Sequence, residues 1–184
     1  MKKIVSVISV FIIALMMSAC GGASLTPEQQ SVIDSQTTVY TQVSMWTEKN
    51  RVIGTNYARG LHIPVNTKVK IVKMNSKVIV FEHLGVNISY LIYSKYTKVD
   101  LDGMYNRLFS TKAVDLSKYS AAVKENIKIG EVVVGMSKDE VLLARGYPPF
   151  HKTASVKADL WKYWDNRFKT SIITFKDNRV ISIL

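Results

Sequence analysis

"GMSKDEVLLARGYPP", residues 135–149, is the stretch whose reading decides the fold. Ser137 is placed to cap a helix, its hydroxyl accepting a bond from a backbone amide that the first turn leaves orphaned. Glu140 lies three residues on, where its carboxylate reaches back to the Ser137 amide, so the pair forms a capping box. Asp139 and Glu140 sit at the positive helix start and Arg145 near the negative end, as the helix dipole favours. Val141, Leu142 and Ala144 supply a buried stripe. Gly146 is expected to take the left-handed conformation that ends the helix, and Pro148 and Pro149 forbid its continuation. The G-x-S-x-G elbow of a nucleophilic serine is missing. Every conspicuous residue has a structural task, so the segment reads as scaffold and not as a reactive loop.

Three strands are expected after it. In DLWKYW, Leu160, Lys162 and Trp164 alternate with Trp161 and Tyr163. Asp165-Asn166 turns the chain into RFKTSIITF, and Asp177-Asn178 turns it again into RVISIL. Asx residues tolerate the positive φ of tight hairpins, which predicts an antiparallel meander covered on one face by the short helix. Trp161, Tyr163 and Phe175 read as core or sheet-face residues.

The run "GEVVVGMSKDEVLLARGYPPFHKT…LWKYWDNRF…IITFKDNRVISI" resembles the BamE/OmlA (SmpA-like) family of small outer-membrane lipoproteins. The resemblance rests on Gly135-Met136-Ser137, Glu140-Val141, the Gly146–Pro148 ending, the tryptophan strand and the hairpin from Phe175 to Val180. It covers residues 125–184. It implies helices packed on a three-stranded antiparallel sheet and a non-enzymatic accessory role, built on contacts with other envelope proteins.

Towards the amino terminus, residues 100–124 read as a helical connector. Asp100 or Asp102 is expected to cap a helix running to Phe109, and Ser117 a second one running towards Ile127. Asp100-Leu-Asp-Gly103 lacks the further ligands of a calcium loop. Residues 37–99 read as about five short strands. Val39, Thr41, Val43 and Met45 share one face of a first strand, and Glu48-Lys49-Asn50 turns the chain into RVIGTNYA. Val69 and Ile71 point inward from TKVKIVKM, with Lys68 and Lys70 outward. Turns at Asn75-Ser76 and Gly85 lead into KVIVFEHL and ISYLIYSKY. The stretch "ARGLHIPVNTKVKIV" resembles the beginning of bacterial SH3-like barrels. The expected fold class is therefore α+β: a small antiparallel β-barrel, SH3-like, followed by a helix-helix plus three-stranded sheet unit.

The first residues read as an export signal. Lys2 and Lys3 precede an apolar run, Ile4 to Met17, and small residues follow. Met17-Ser18-Ala19-Cys20 resembles a lipobox, which implies removal of residues 1–19 and acylation of Cys20. Cys20 is the one cysteine of the chain, so it has no partner for an internal disulfide, and acylation explains its presence in an exported protein. Gly21 stands where Asp would favour inner-membrane retention in known lipoproteins, and this analogy points to the outer membrane. Residues 20–36 are small and polar and read as a flexible tether.

The formal charge is +11, or +9 once Lys2 and Lys3 are removed. A basic chain suggests nucleic acid, anionic lipid or acidic polymers, and export argues against nucleic acid. Two roles are weighed. The first is a non-catalytic scaffold or accessory factor in envelope assembly, acting through protein contacts. The second is an envelope module binding peptidoglycan or anionic glycolipid such as lipopolysaccharide. The second would use the aromatics Tyr57, Tyr90, Tyr93 and Tyr96 with the cations Lys68, Lys70, Lys95 and Lys98, and it gains weight if these share one face. His62, His83 and His151 are far apart, and none lies in a ligand-spaced motif. No enzyme, metal or cofactor is expected.

Overall fold

The computed structural model describes residues 24–184; the signal segment and Cys20 lie outside the described residues. It is a mixed α+β fold with two sheets of main interest. One is a curled six-stranded half-barrel and the other a three-stranded antiparallel sheet. Each lines its own apolar core.

The chain begins with helix α1, Pro27–Asp34, in the segment expected to be a flexible tether. Thr26 and Gln29 form a capping box and Pro27 opens the helix. Gln29 and Val32 are buried, and the Gln29 amide donates to Asp102 at 3.0 Å. The apolar side chains Leu25, Val32 and Ile33 are few, but all three pack on the first core, so this part of the tether is docked.

The first lobe follows: β1 Thr38–Thr41, β2 Met45–Thr47, β3 Arg51–Ile53, β4 Leu61–Ile63, β5 Lys68–Asn75, β6 Val78–His83 and β7 Val86–Leu91. Short helices α2, Ser94–Thr97, and α3, Leu101–Leu108, lead into β8, Phe109–Ser110. The large sheet runs β3-β7-β6-β5-β1-β8, while β2 and β4 pair separately. Val39, Thr41, Val43 and Met45 are all buried, but the expected single strand is split between two sheets. Lys49 and Asn50 do form a tight turn at positive φ. The strands it joins then diverge, β2 to β4 and β3 to β7. The β3–β7 pair is parallel, which corrects the purely antiparallel expectation. A three-residue strand carries too little pattern to name its partner.

The second lobe comprises α4, Ala121–Ile129, α5, Lys138–Arg145, and the meander β9 Leu160–Trp164, β10 Thr170–Lys176 and β11 Arg179–Ile183. Its sheet order is β11-β10-β9. Ser137 and Glu140 make both bonds of the capping box. Trp161 and Tyr163 are fully buried, with Phe175 and Val180 beside them. The α4 cap is Ser120 and not Ser117. Gly146 ends α5 at φ 77°, ψ −174°, outside the left-handed helical region expected for it. A side chain there would press on Asn56 and on the Ser44 carbonyl, so glycine is required by close approach as well as by φ.

The expected connector at 100–124 is shared out between the cores. Leu101, Met104, Tyr105, Leu108 and Phe109 belong to the first, while Val114, Leu116, Tyr119 and Val123 pack on the second. Val65, from the first half of the chain, is buried in the second core, and Tyr147 packs against the first. The lobes therefore interlock.

Candidate functional site

The seam between the lobes is built by Asn56 and Arg145. Asn56, buried and at φ 59°, donates its side-chain amide to the carbonyls of Arg145 at 2.6 Å and Tyr147 at 3.1 Å. The Ser44 amide donates to Leu143 at 3.0 Å, and the Ala58 amide to Trp164 at 3.3 Å. The Arg145 guanidinium pairs with Asp165 at 2.9 Å. It also lies 5.1 Å from the Trp46 ring centre and 5.3 Å from that of Tyr163. Burial lowers the Arg145 pKa and the Asp165 carboxylate opposes that shift, so the guanidinium stays charged. Tyr163 donates its hydroxyl to the Gly146 carbonyl at 2.8 Å, and burial raises its pKa. These bonds hold the end of β9 against the loop after β3.

An open trough lies along this seam. Its aromatic section, about 400 Å³, is walled by Ile53, Thr55, Tyr57, Tyr93, Tyr96, His151 and Trp164. Its basic section, about 570 Å³, adds Trp46, Glu48, Lys49, Arg51, Arg59 and Leu91, and shares Ile53, Tyr57 and Tyr93 with the first. Both volumes lie in the range of small-molecule sites, which favour junctions between structural units. An interior cavity nearby, bordered by Ser44, Asn56 and Tyr90, measures only about 30 Å³ and has room for water alone.

Local structure sets the walls. Ile53 and Leu91 are cross-strand neighbours of β3 and β7. Tyr93 precedes α2 and Tyr96 lies within it, their rings edge to face at 6.5 Å. His151 donates its backbone amide to the Tyr96 carbonyl at 3.2 Å, and its ring lies 5.2 Å from that of Tyr96. Tyr57 and Trp164 meet across the seam through a parallel bridge, their rings 6.1 Å apart. Arg59 is tied to Glu48 at 2.9 Å, an exposed pair that holds its position weakly. Lys49 and Arg51 form no ion pair among the described residues.

The expected surface residues fall in four places. Tyr57, Tyr93 and Tyr96 come together in the trough, and Lys95 lies 5.7 Å from the Tyr96 ring centre at its rim. Lys68 and Lys70 stand exposed on β5. Cross-strand partners share a face, and the register sets Lys73, Val80, Ser89 and Arg51 in one row, with Asn75, Val78, Leu91 and Ile53 in the next. Lys73 therefore stands on the outer sheet face about 14 Å from Arg51, across three strand spacings, and Lys68 and Lys70 lie on the same face farther along β5. Lys98 is exposed at φ 54°, where α2 ends. Tyr90 is the correction. It points into the first core and is only 6% exposed, with a hydroxyl pKa raised by burial. Tyr90 follows Ile88 on the inner face of β7, and Tyr93, an odd number of residues on and past the end of the strand, does not share that face. Cys20 lies outside the described residues.

Sequence reasoning missed Trp46, Arg51, Arg59, His151 and Trp164. Trp164 carried a usable signal, since its alternation with Tyr163 puts it on the outer face of β9. The arginines carried none, because their place beside Leu91 and Tyr93 depends on pairing between distant segments. No family model, no curated protein and no solved structure matches this chain.

Proposed function

We propose that this protein is a non-catalytic binding module of a bacterial cell envelope, anchored by lipid on Cys20, with the seam trough as its contact site. The observation that carries this reading is the convergence of Trp46, Tyr57, Tyr93, Tyr96 and Trp164 with Arg51 and Arg59 in one trough. Trp, Tyr and Arg are the side chains that dominate binding energy, because they offer large rigid surfaces with a polar handle. The Asn56 and Arg145 bonds fix the walls beforehand, which lowers the ordering cost of binding. Lipid attachment is supported by the Met17–Cys20 pattern, and an outer-membrane location by Gly21 after it.

A scaffold role in envelope assembly is the companion reading, supported by a different surface. Leu160, Ile181 and Leu184 of the second sheet are each more than half exposed. The resemblance of residues 125–184 to the BamE/OmlA family supports this role, and the SH3-like resemblance supports the same kind of adaptor for the first lobe.

Two measurements test the proposal. Radiolabelled palmitate should enter the protein in cells, and Cys20→Ala should abolish both labelling and membrane fractionation. A photo-crosslinking residue at position 96 should trap an envelope component, whereas one at Leu184 should trap a protein if the scaffold reading holds. Absence of label, or no product from position 96, would overturn the corresponding part.

A further inference from the structure

We infer that the trough takes an anionic saccharide, with sugar rings on the aromatic section and an acidic group at Arg51 and Arg59; this rests on the trough being the contact site. The argument begins with the asymmetry of the two sections. Tyr93 and Tyr96 are 40% and 42% exposed, so their rings are offered to the trough and not consumed by packing. Tyr57 and Trp164 face them from the second wall. Aromatic faces carry negative charge density and meet the C–H faces of a ring-shaped, uncharged guest. A sugar ring has such faces, with hydroxyls at its rim for the wet mouth of an open groove.

The other section is cationic. Lys49, Arg51 and Arg59 line it against the single carboxylate of Glu48. Glu48 is already engaged by Arg59, and an incoming acid can exchange into that pair at little cost because both groups are solvated. The arginine fork matches a carboxylate or a phosphate with two parallel bonds. A guest with stacked rings at one end and one acidic group at the other satisfies both sections. The β5 lysines on the same outer face extend the positive field and raise the encounter rate of anionic guests.

Two envelope sources share this chemistry: amino-sugar chains carrying carboxylates and phosphorylated glucosamine head groups. The test uses the full mature chain in detergent and reads tryptophan fluorescence. Trp46 and Trp164 line the trough while Trp161 is fully buried, so quenching reports the site. Three probes are titrated: a muropeptide, a de-acylated bisphosphorylated glucosamine disaccharide and neutral chitotetraose. The expected result is saturable quenching by at least one acidic probe, about tenfold tighter than by chitotetraose. The tighter of the two acidic probes identifies the source. The double variant Arg51→Gln, Arg59→Gln should erase that margin, and Tyr96→Ala should weaken all binding. Unchanged thermal unfolding of both variants certifies their folds. Equal affinity for neutral and acidic probes overturns the acidic contact at Arg51 and Arg59, and no quenching by any overturns the saccharide. If position 96 still traps a protein in cells, the contact site survives and its guest is a polypeptide. If it traps nothing either, both proposals fall.

Discussion

The two lobes reach stability by different routes. The first is a core rich in Val, Ile and Met around the Phe81–Phe109 pair, inside a sheet whose neighbours are often far apart in sequence: β1 pairs with β5 and β8, and β3 with β7. The second is centred on Trp161, Tyr163 and Phe175, and its sheet is a simple meander of consecutive strands. Neighbouring hairpins close short loops at low entropic cost, whereas distant pairings must close long loops before they gain contacts. The second lobe is thus specified locally, and the first depends on closure of the whole half-barrel. The trough forms where these two kinds of order meet.

The strongest way to break this contrast is Trp161→Ala. Removing a fully buried tryptophan should cost about 3–5 kcal/mol. Hydrogen exchange should then show the β9–β11 amides losing protection before those of β5 and β6. Simultaneous loss would make the lobes one cooperative unit. Arg145→Met should cost about 2–4 kcal/mol, since it strands the half-buried Asp165 without its cation. It also loosens the seam, so calorimetry should resolve two transitions where the parent shows one. A single sharper peak would mean that Asn56 suffices as the link.

Ser137→Ala should cost about 1 kcal/mol through loss of the α5 cap, and Ser137→Asp should restore most of it in urea unfolding. The smallest effect concerns His62. Its ring lies 4.8 Å from that of Trp46, and its buried Nε2 has no hydrogen-bond partner. Gly130 is equally crowded there, because a Cβ would approach both rings within 2.8 Å. Burial lowers the His62 pKa from its ordinary 6.5. The unfolded chain therefore takes up the proton more readily. The contribution to stability is complete above about pH 6.5 and is lost as pH falls through the lowered folded value. His62→Phe should flatten that part of the stability profile between pH 7.5 and 5, and an unchanged slope would place its cause elsewhere.

What the sequence discloses follows the same division. Turns and caps are written in adjacent residues, so the Ser137–Glu140 box, the Asp177-Asn178 turn and the burial of Trp161 and Tyr163 are legible. Thr26-Pro-Glu-Gln29 is an equally plain helix start, and it escaped notice because the surrounding segment is polar overall. The inward turn of Tyr90 is also written locally, in its alternation with Ile88. The partner of β3 is illegible for a different reason: it depends on where strands separated by tens of residues pair, and no local signal carries that. The trough inherits this limit: three of its tyrosines are visible as aromatic residues, but their meeting with Trp164 is a product of the seam.

The docked helix α1 also shortens the leash. With Leu25 packed on the first core and Thr26 capping the docked helix, Cys20 can lie no farther than five residue steps, about 17 Å, from the body. Under the proposed acylation, the body can tilt and swivel beside its own leaflet but cannot roam far from it. Any guest of the trough must be met close to the membrane surface.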